Sequence, residues 1–380
     1  MSTQDWIAGF RTPLVNPAEE IRLAESREFA GETLRQVVRL AGGGSRLRVR
    51  LSNRYAATEL VIGAARVAPR ENGEAIVSAD EHVLRFGGAT AARIPAGGEI
   101  VSDPVDLAVT AGMDVALSLY FPEPTGPAAF SQLPGESGWV VAGDHTGAGA
   151  LPGAEETTSR YFLTGVDVFT AAATPVLVAF GDSWFEGVGS THGANRRSVD
   201  VLNARLTRGW AVNQGISGSR LLSDQIGERG LTRFDRDVLA VPGVAAVWVN
   251  FGINDLILAG AATAAELIAG YTELARRSHA AGLPIYVNTI GPFAGAIYPG
   301  LTVADGLPVR TEVNAWLRDS PLFDAVFDVA AAVEDPARPG FIRPDYDSGD
   351  GMHLNDAGAR AMAETATIPA FTETATPATV

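Results

Sequence analysis

The sequence predicts two units and a tail. An all-β sandwich or jelly roll spans residues 1–170, a three-layer α/β/α domain with a doubly wound parallel sheet spans 171–370, and a flexible tail covers 371–380. Three observations carry this expectation. A chain of 380 residues is long for a single core. The front half consists of short alternating apolar runs between turn-rich gaps, without a convincing helix. Past "TAAATP" (170–175), apolar β-rich runs alternate with helical stretches.

In the front half, "SRLRVRLSN" (45–53) sends Leu47, Val49 and Leu51 to one face and Arg46, Arg48 and Arg50 to the other. "DVALSLYF" (114–121) places Val115, Leu117, Leu119 and Phe121 together. "GWVVAG" (138–143) and "SRYFLTGVDVF" (159–169) are further short strands, and "AGGGS", "EPTGP" and "GAGALPGAEE" are the gaps. In the second half, "VLVAF" (176–180), "WAVN" (210–213), "VAAVWVNF" (244–251), "PIYVNTI" (284–290) and "DAVFDV" (324–329) are mostly apolar on both faces, as a helix-covered parallel sheet requires. Between them, "SVDVLNARL" (198–206) predicts a helix capped by Ser198. "TAAELIAGYTELARRSHAAG" (263–282) opens on a Thr263/Glu266 capping box and closes on Gly282. "PVRTEVNAWLRD" (308–319) starts a helix on proline, and "NDAGARAMAETA" (355–366) starts one on an Asn cap.

Composition removes several function classes. Asp and Glu number 44 against 29 Lys and Arg, a net charge of −15, which argues against nucleic acid or an anionic membrane surface as partner. Without cysteine there are no disulfides, thiolate zinc sites or cysteine nucleophile. HxH and HExxH patterns are absent, so no metal is expected, and "NQGISGSR" lacks the lysine of a phosphate-binding loop. No apolar run is long enough to span a bilayer, and the opening residues carry no secretory pattern. The chain as written is therefore expected to be soluble and cytoplasmic, or secreted if a signal has been removed.

Open α/β sheets bind ligands outside the carboxyl ends of their strands. There the sequence places Gly181-Asp182-Ser183, the glycine-rich "NQGISGSR" (213–220), "GIND" (252–255) and "SGDGMHLND" (348–356). Serine, glycine amides, an asparagine amide, an aspartate and a histidine are the groups that acyl transfer needs. The hydroxyl requires a base, the base an orienting carboxylate, and the developing oxyanion fixed N–H donors.

These four blocks, GDS (181–183), Asn-x-Gly-x-Ser-Gly (213–218), GxND (252–255) and DxxH (350–353), in this order and at these strand ends, resemble the SGNH/GDSL hydrolase family. The resemblance covers about 171–370 and implies the flavodoxin-like SGNH fold. It assigns the nucleophile to Ser183 and the acid and base to Asp350 and His353. The oxyanion hole falls to Ser183, Gly218 and Asn254. Gly215 competes with Gly218, and the block alignment favours Gly218. Trp184 stands where leucine is common, followed by Phe185, which leaves the acyl pocket open. The β-rich front half is similar to that of two-domain bacterial esterases, some of which deacetylate xylan.

Blander roles compete at each position. Ser183 could cap a helix, and Trp184 could pack beneath the nucleophile turn. Among the histidines, His279 suits a helix carboxyl end, and His192 is the rival base and a candidate substrate contact. Asp345, Asp347 and Asp356 compete with Asp350; Asp356 suits a helix start and the others a solvated loop. Asp182 and Asp255 are expected to bond N–H groups of their own turns. Trp184, Phe185, His192, Phe293 and Tyr298 are the residues expected to line the mouth. The expected function is a cofactor-free, metal-independent serine esterase acting through an acyl-enzyme on small-molecule or carbohydrate esters of short acyl groups, acetyl among them. The alternatives are a glycan-binding protein with an inert hydrolase-like half, or an acyltransferase using the same site.

Overall fold

The computed structural model describes residues 4–372. The chain divides into two units. One comprises Met1–Ala172 with the segments Ile216–Gly218 and Gln225–Gly227; the other comprises Ala173–Gly215, Ser219–Asp224 and Glu228–Val380.

The first unit is antiparallel β, and among its described residues the only helical piece is a 3-10 turn at Ser78–Asp80. One sheet orders its strands Gln4–Arg11, Leu163–Ala171, Leu47–Ser52 and Glu99–Val101. A larger sheet orders Glu155–Thr157, Gly138–Ala142, Glu32–Arg39, Asp114–Phe121, Ala64–Asn72 and Ala75–Ile76. The alternation at 45–53 is realised, with Leu47, Val49 and Leu51 buried and Arg48 and Arg50 half-buried. At 114–121 both faces are covered. Ala116 packs with Val37, Ala68 and Ile76 beside Trp139, while the buried Arg35 guanidinium donates to Ser118 Oγ (2.8 Å) and to the carbonyls of Glu74 and Ala148. The sequence pattern assigned only the face of Val115, Leu117, Leu119 and Phe121, and the small residues Ala116 and Ser118 of the other face are buried as well. The 159–169 run breaks at Phe162, whose φ is +58°, into Arg160–Tyr161 and Leu163–Ala171.

Asp167, in the middle of Leu163–Ala171, is fully buried and gathers three arginines from two neighbouring strands. Arg48 Nε donates at 2.8 Å, Arg50 Nε at 2.9 Å, and Arg11 also bonds the carboxylate. Burial opposes the charge of Asp167, but the guanidiniums outweigh it and hold the carboxyl below its ordinary range.

The second unit carries a five-stranded sheet: β1 (Val176–Gly181), β2 (Trp210–Gly215), β3 (Val244–Asn250), β4 (Ile285–Asn288) and β5 (Ala325–Phe327). Every pairing is parallel and the order is β2-β1-β3-β4-β5. The chain goes to one side of β1 and then to the other, so a crevice is expected at the carboxyl end of β1. All residues of β1 and β4 are buried, as the unbroken apolar composition of β1 and the mostly apolar composition of β4 predict.

The helices are α1 (Ser183–Glu186), α2 (Ser198–Asn203), α3 (Gly230–Phe234), α4 (Ile253–Ile257), α5 (Ala264–Ala280), α6 (Val303–Asp319), α7 (Val329–Val333), α8 (Asp356–Thr365) and α9 (Pro369–Thr372). The expected signals at α5 and α8 are present. Thr263 Oγ1 accepts from Glu266 N and the Glu266 carboxylate accepts from Thr263 N, while Asn355 Oδ1 accepts from the amides of Ala357 and Gly358. Leu267, Tyr271, Leu274 and Ser278 turn one face of α5 inward.

Three expectations need correction. Ser198 does not cap α2: it is the first helical residue and donates to the Trp184 carbonyl (3.2 Å), while the Asp200 carboxylate accepts from Arg197 N (3.1 Å). α6 starts five residues before Pro308, so the proline lies inside the first turns of the helix rather than at its start. Residues 371 and 372, expected in the tail, belong to α9, where Phe371 is buried; the rest of the expected tail, 373–380, lies outside the described residues. Among the described residues, no helix is long and apolar enough to cross a membrane, and no group of three His, Asp or Glu side chains could hold a metal ion.

Candidate active site

At the carboxyl end of β1 the chain must leave the sheet within one residue. Asp182 is the cap of α1: its Oδ1 accepts from Trp184 N at 3.1 Å, so the capping role belongs to Asp182 and not to Ser183. Ser183 is thereby the first residue of α1, and its hydroxyl lies 3.0 Å from Nε2 of His353. Glycine at 215, where β2 ends, is set by close approach: a Cβ there would lie 2.4 Å from Glu186 N.

His353 sits on the turn between α7 and α8. Its Nδ1 lies 2.6 Å from Asp350 Oδ2, while Asp350 Oδ1 accepts from the amides of Met352 (3.0 Å) and His353 (2.8 Å). The DxxH spacing works because one carboxylate organises its own turn with one oxygen and holds the imidazole with the other. Burial opposes the charge on Asp350. The hydrogen bond and charge of His353, then the Met352 amide and the Tyr298 hydroxyl, overcome it and hold the carboxyl well below the usual range. Asp347 is not a merely solvated residue, since its Oδ1 accepts from Gly349 N and Gly351 N and shapes this turn. Asp356 begins α8 as expected and also accepts from Thr191 and Arg196.

The candidate oxyanion donors are placed as follows. Asn254 is buried in the first turn of α4, and its Nδ2 donates one hydrogen bond to Ser219 O (3.0 Å), leaving a second N–H. Gly215 is removed as a rival donor, because its amide is committed to Asn213 Oδ1 at 2.9 Å. Gly218 adopts φ +79°, and a Cβ on it would meet Ile226 at 2.5 Å. Asp255 reaches beyond its own turn. Its two oxygens accept from Leu221 N (2.9 Å) and Leu222 N (3.0 Å), tying α4 to the loop after β2.

Residues 179–361 match the GDSL-like Lipase/Acylhydrolase family. This segment is a GDSL-family domain. No curated protein matches the chain. Among solved structures, the chain is similar over half its length to a carbohydrate acetylesterase from Sinorhizobium meliloti (17% identity, 50% of this chain and 94% of that one, TM-score 0.42). It is also similar to an aryl esterase from M. smegmatis (18%, 50% and 95%, TM-score 0.43) and a GDSL-like lipase from Bacteroides thetaiotaomicron (20%, 50% and 85%, TM-score 0.41).

Around this GDSL serine, three of the five expected mouth residues are instead core. Trp184 packs against Gly291, and its Nε1 donates to Met352 O (2.9 Å), joining the serine turn to the histidine turn. Phe185 is buried with its ring 4.5 Å from that of Trp248, and Phe293 is fully buried. Rings this enclosed offer no face to a ligand. His192 is exposed between α1 and α2, and the imidazole that meets Ser183 is that of His353. Tyr298 is 46% exposed, and its hydroxyl donates to Asp350 Oδ2 at 2.8 Å.

Two further supports of the GDSL turn escaped the sequence reading. Trp248 Nε1 donates to Asn288 Oδ1 (2.8 Å), Asn288 Nδ2 to Asn250 Oδ1 (2.9 Å), and Asn250 Nδ2 to Asp182 Oδ1 (2.9 Å), a line of donors crossing β4, β3 and β1. The buried Arg233 guanidinium donates to Gly181 O (2.7 Å) and Gln214 O (2.8 Å), clamping the ends of β1 and β2. The signal for the first was present: Val249-Asn250 and Val287-Asn288 put an amide at the end of two otherwise apolar strands.

Proposed function

We propose that the chain is a serine esterase that hydrolyses carboxylic esters through an acyl-enzyme. Membership of 179–361 in a family of lipases and acylhydrolases supports ester hydrolysis in general. The observation that carries the finer reading is the unbroken line from Ser183 Oγ to His353 Nε2 (3.0 Å) and from His353 Nδ1 to Asp350 (2.6 Å). In this mechanism Ser183 Oγ attacks the ester carbonyl while His353 takes its proton. Asp350 keeps Nδ1 protonated, so that Nε2 is the basic nitrogen, and favours the imidazolium that forms. The carbonyl oxygen becomes an oxyanion received by the amide of Ser183 and the free N–H of Asn254 Nδ2; Gly218 joins them through its place in the family motif. His353 returns its proton to the leaving alcohol, then activates water against the acyl-enzyme. No metal or cofactor takes part in these steps.

Residues 171–370 are the catalytic part of this proposal, on a doubly wound three-layer fold, and 1–170 the accessory β part. Trp184 and Phe185 fill the space behind the serine turn, which favours short acyl groups, acetyl esters of small molecules or carbohydrates among them. The Ser183→Ala variant is expected to lose p-nitrophenyl acetate hydrolysis and fluorophosphonate labelling together; turnover at the wild-type rate would overturn the assignment. Asp350→Asn is expected to keep weak activity, about 10³–10⁴-fold below wild type, because the nucleophile survives while the tautomer is lost.

A further inference from the structure

We infer that Tyr298 is a positioning residue of the Ser183–His353–Asp350 line, setting through its hydroxyl how much of the Asp350 charge reaches His353. This inference rests on the esterase reading for its kinetic consequences and on geometry alone for its electrostatic ones.

A carboxylate offers about four acceptor sites, and each of the four donors around Asp350 has one. Two backbone amides take Oδ1, while the His353 ring and the Tyr298 hydroxyl share Oδ2. Three of these come from the Asp350–His353 turn itself. Tyr298 alone comes from elsewhere, 52 residues earlier in the chain. Its loop is fastened at that point: Ile297 N donates to Asp350 O (3.1 Å), and Gly351 lies so close to Gly295 O that a Cβ would approach within 1.9 Å. The Tyr298 ring sits edge-on to the His353 ring, centroids 6.3 Å apart. Yet Tyr298 is 46% exposed and its neighbour Ile297 is 68% exposed. A side chain this open gains little from burial, so its ordered contribution is the hydroxyl. Burial and the Asp350 carboxylate push that hydroxyl up to about 12, so it remains a donor across the working range.

The direction of the effect follows. A hydroxyl donating to Oδ2 draws charge away from the bond that the same oxygen makes to His353, and so weakens the stabilisation of a protonated ring. Removing it returns that charge to the imidazolium, and the neutral base then forms only at higher pH. The other ionisable groups facing this pair, Asp182 opposite His353 and Asp347 within the turn, stay in place when only Tyr298 is changed.

The test compares wild type with Tyr298→Phe, which keeps the ring, and Tyr298→Ala, which does not. The readouts are the pH profile of kcat/KM for p-nitrophenyl acetate and, without need of turnover, NMR titration of the His353 ring. In Tyr298→Phe the acid limb is expected to move up by roughly 0.3–1 pH unit, with the ring titration moving alongside it. The plateau kcat falls several-fold at nearly constant KM. Tyr298→Ala shows the same displacement together with a changed KM. A Phe variant whose limb and ring titration superimpose on wild type overturns the inference, whatever its kcat. Wild-type protein without ester turnover would defeat the esterase reading alone, because the ring titration still decides what Tyr298 does.

Discussion

Asp182 bears two opposed demands: it caps α1 and ends the donor line through Asn250, yet it is fully buried. Burial pushes its carboxyl up to about 7 against the Trp184 amide and the Asn250 side chain, and burial likewise pushes Asp255 up to about 6 against the Leu221 and Leu222 amides. An unfolded aspartate ionises near 3.9. Between that value and 7 the unfolded chain has released a proton that folded Asp182 retains, so stability falls as pH rises through this window and levels off above it. Asp182→Asn keeps an acceptor for Trp184 and Asn250 while removing the titration. Urea unfolding at pH 5 and pH 8 should therefore show a decline smaller by about 2 kcal/mol in the variant than in wild type; equal declines would refute the assignment. At this scale the sequence revealed the reacting groups and concealed their supports. Ser183, Asp350 and His353 were legible because three unlike side chains recur in fixed local patterns. The bond of Asp182 to its own turn was legible too, but its Asn250 partner, the Asp350 partner of Tyr298 and the strand-end carbonyls held by Arg233 come from chain far away, which local spacing does not encode.

Strand ends, rather than whole strands, determine the geometry of the site. β1 was legible from its unbroken apolar run, and so were α5 and α8 from their capping residues, because each signal is local. The start of α6 was misplaced since proline tolerates a helix's first turn and reads there as a beginning. The α2 cap was misread because Ser198 has a tertiary acceptor in the Trp184 carbonyl. The line Trp248–Asn288–Asn250–Asp182 is an element-scale device, one side chain per hydrogen bond across three strands, with every donor directed toward Asp182. Asn250→Ala breaks it in the middle and strands a buried acceptor on one side and a buried donor on the other. A loss of roughly 2–3 kcal/mol is expected in the urea midpoint analysis, with Ser183 reactivity toward fluorophosphonate reduced in the folded protein. A loss below about 0.5 kcal/mol would show that the line does not carry the turn.

Over the whole chain, the 29 basic residues are all arginine and none is lysine. A guanidinium keeps its charge across the range in which proteins fold and can bond in several directions at once. An acidic protein with a net charge of −15 thus places its few cations where one can serve several acceptors, as Arg233 does at two strand ends and Arg35 does inside the β unit. The division near residue 170 was legible from the change of period, whereas the two-sided burial of Asp114–Phe121 was not, since alanine and serine carry no strong pattern. The knot at Asp167 has the opposite pH sense to Asp182: its carboxyl is held low in the fold, so the stability it adds is present above the unfolded value and drains away as acid reaches the folded one. Circular dichroism on acidification should show β structure lost at a higher pH in Asp167→Asn than in wild type. The same knot works as a fuse. Once a proton neutralises the single anion, Arg11, Arg48 and Arg50 become three like charges packed together, and Arg11 is the last residue of the strand Gln4–Arg11 at the sheet's margin. Acid unravelling of this unit should therefore begin by peeling away its first strand.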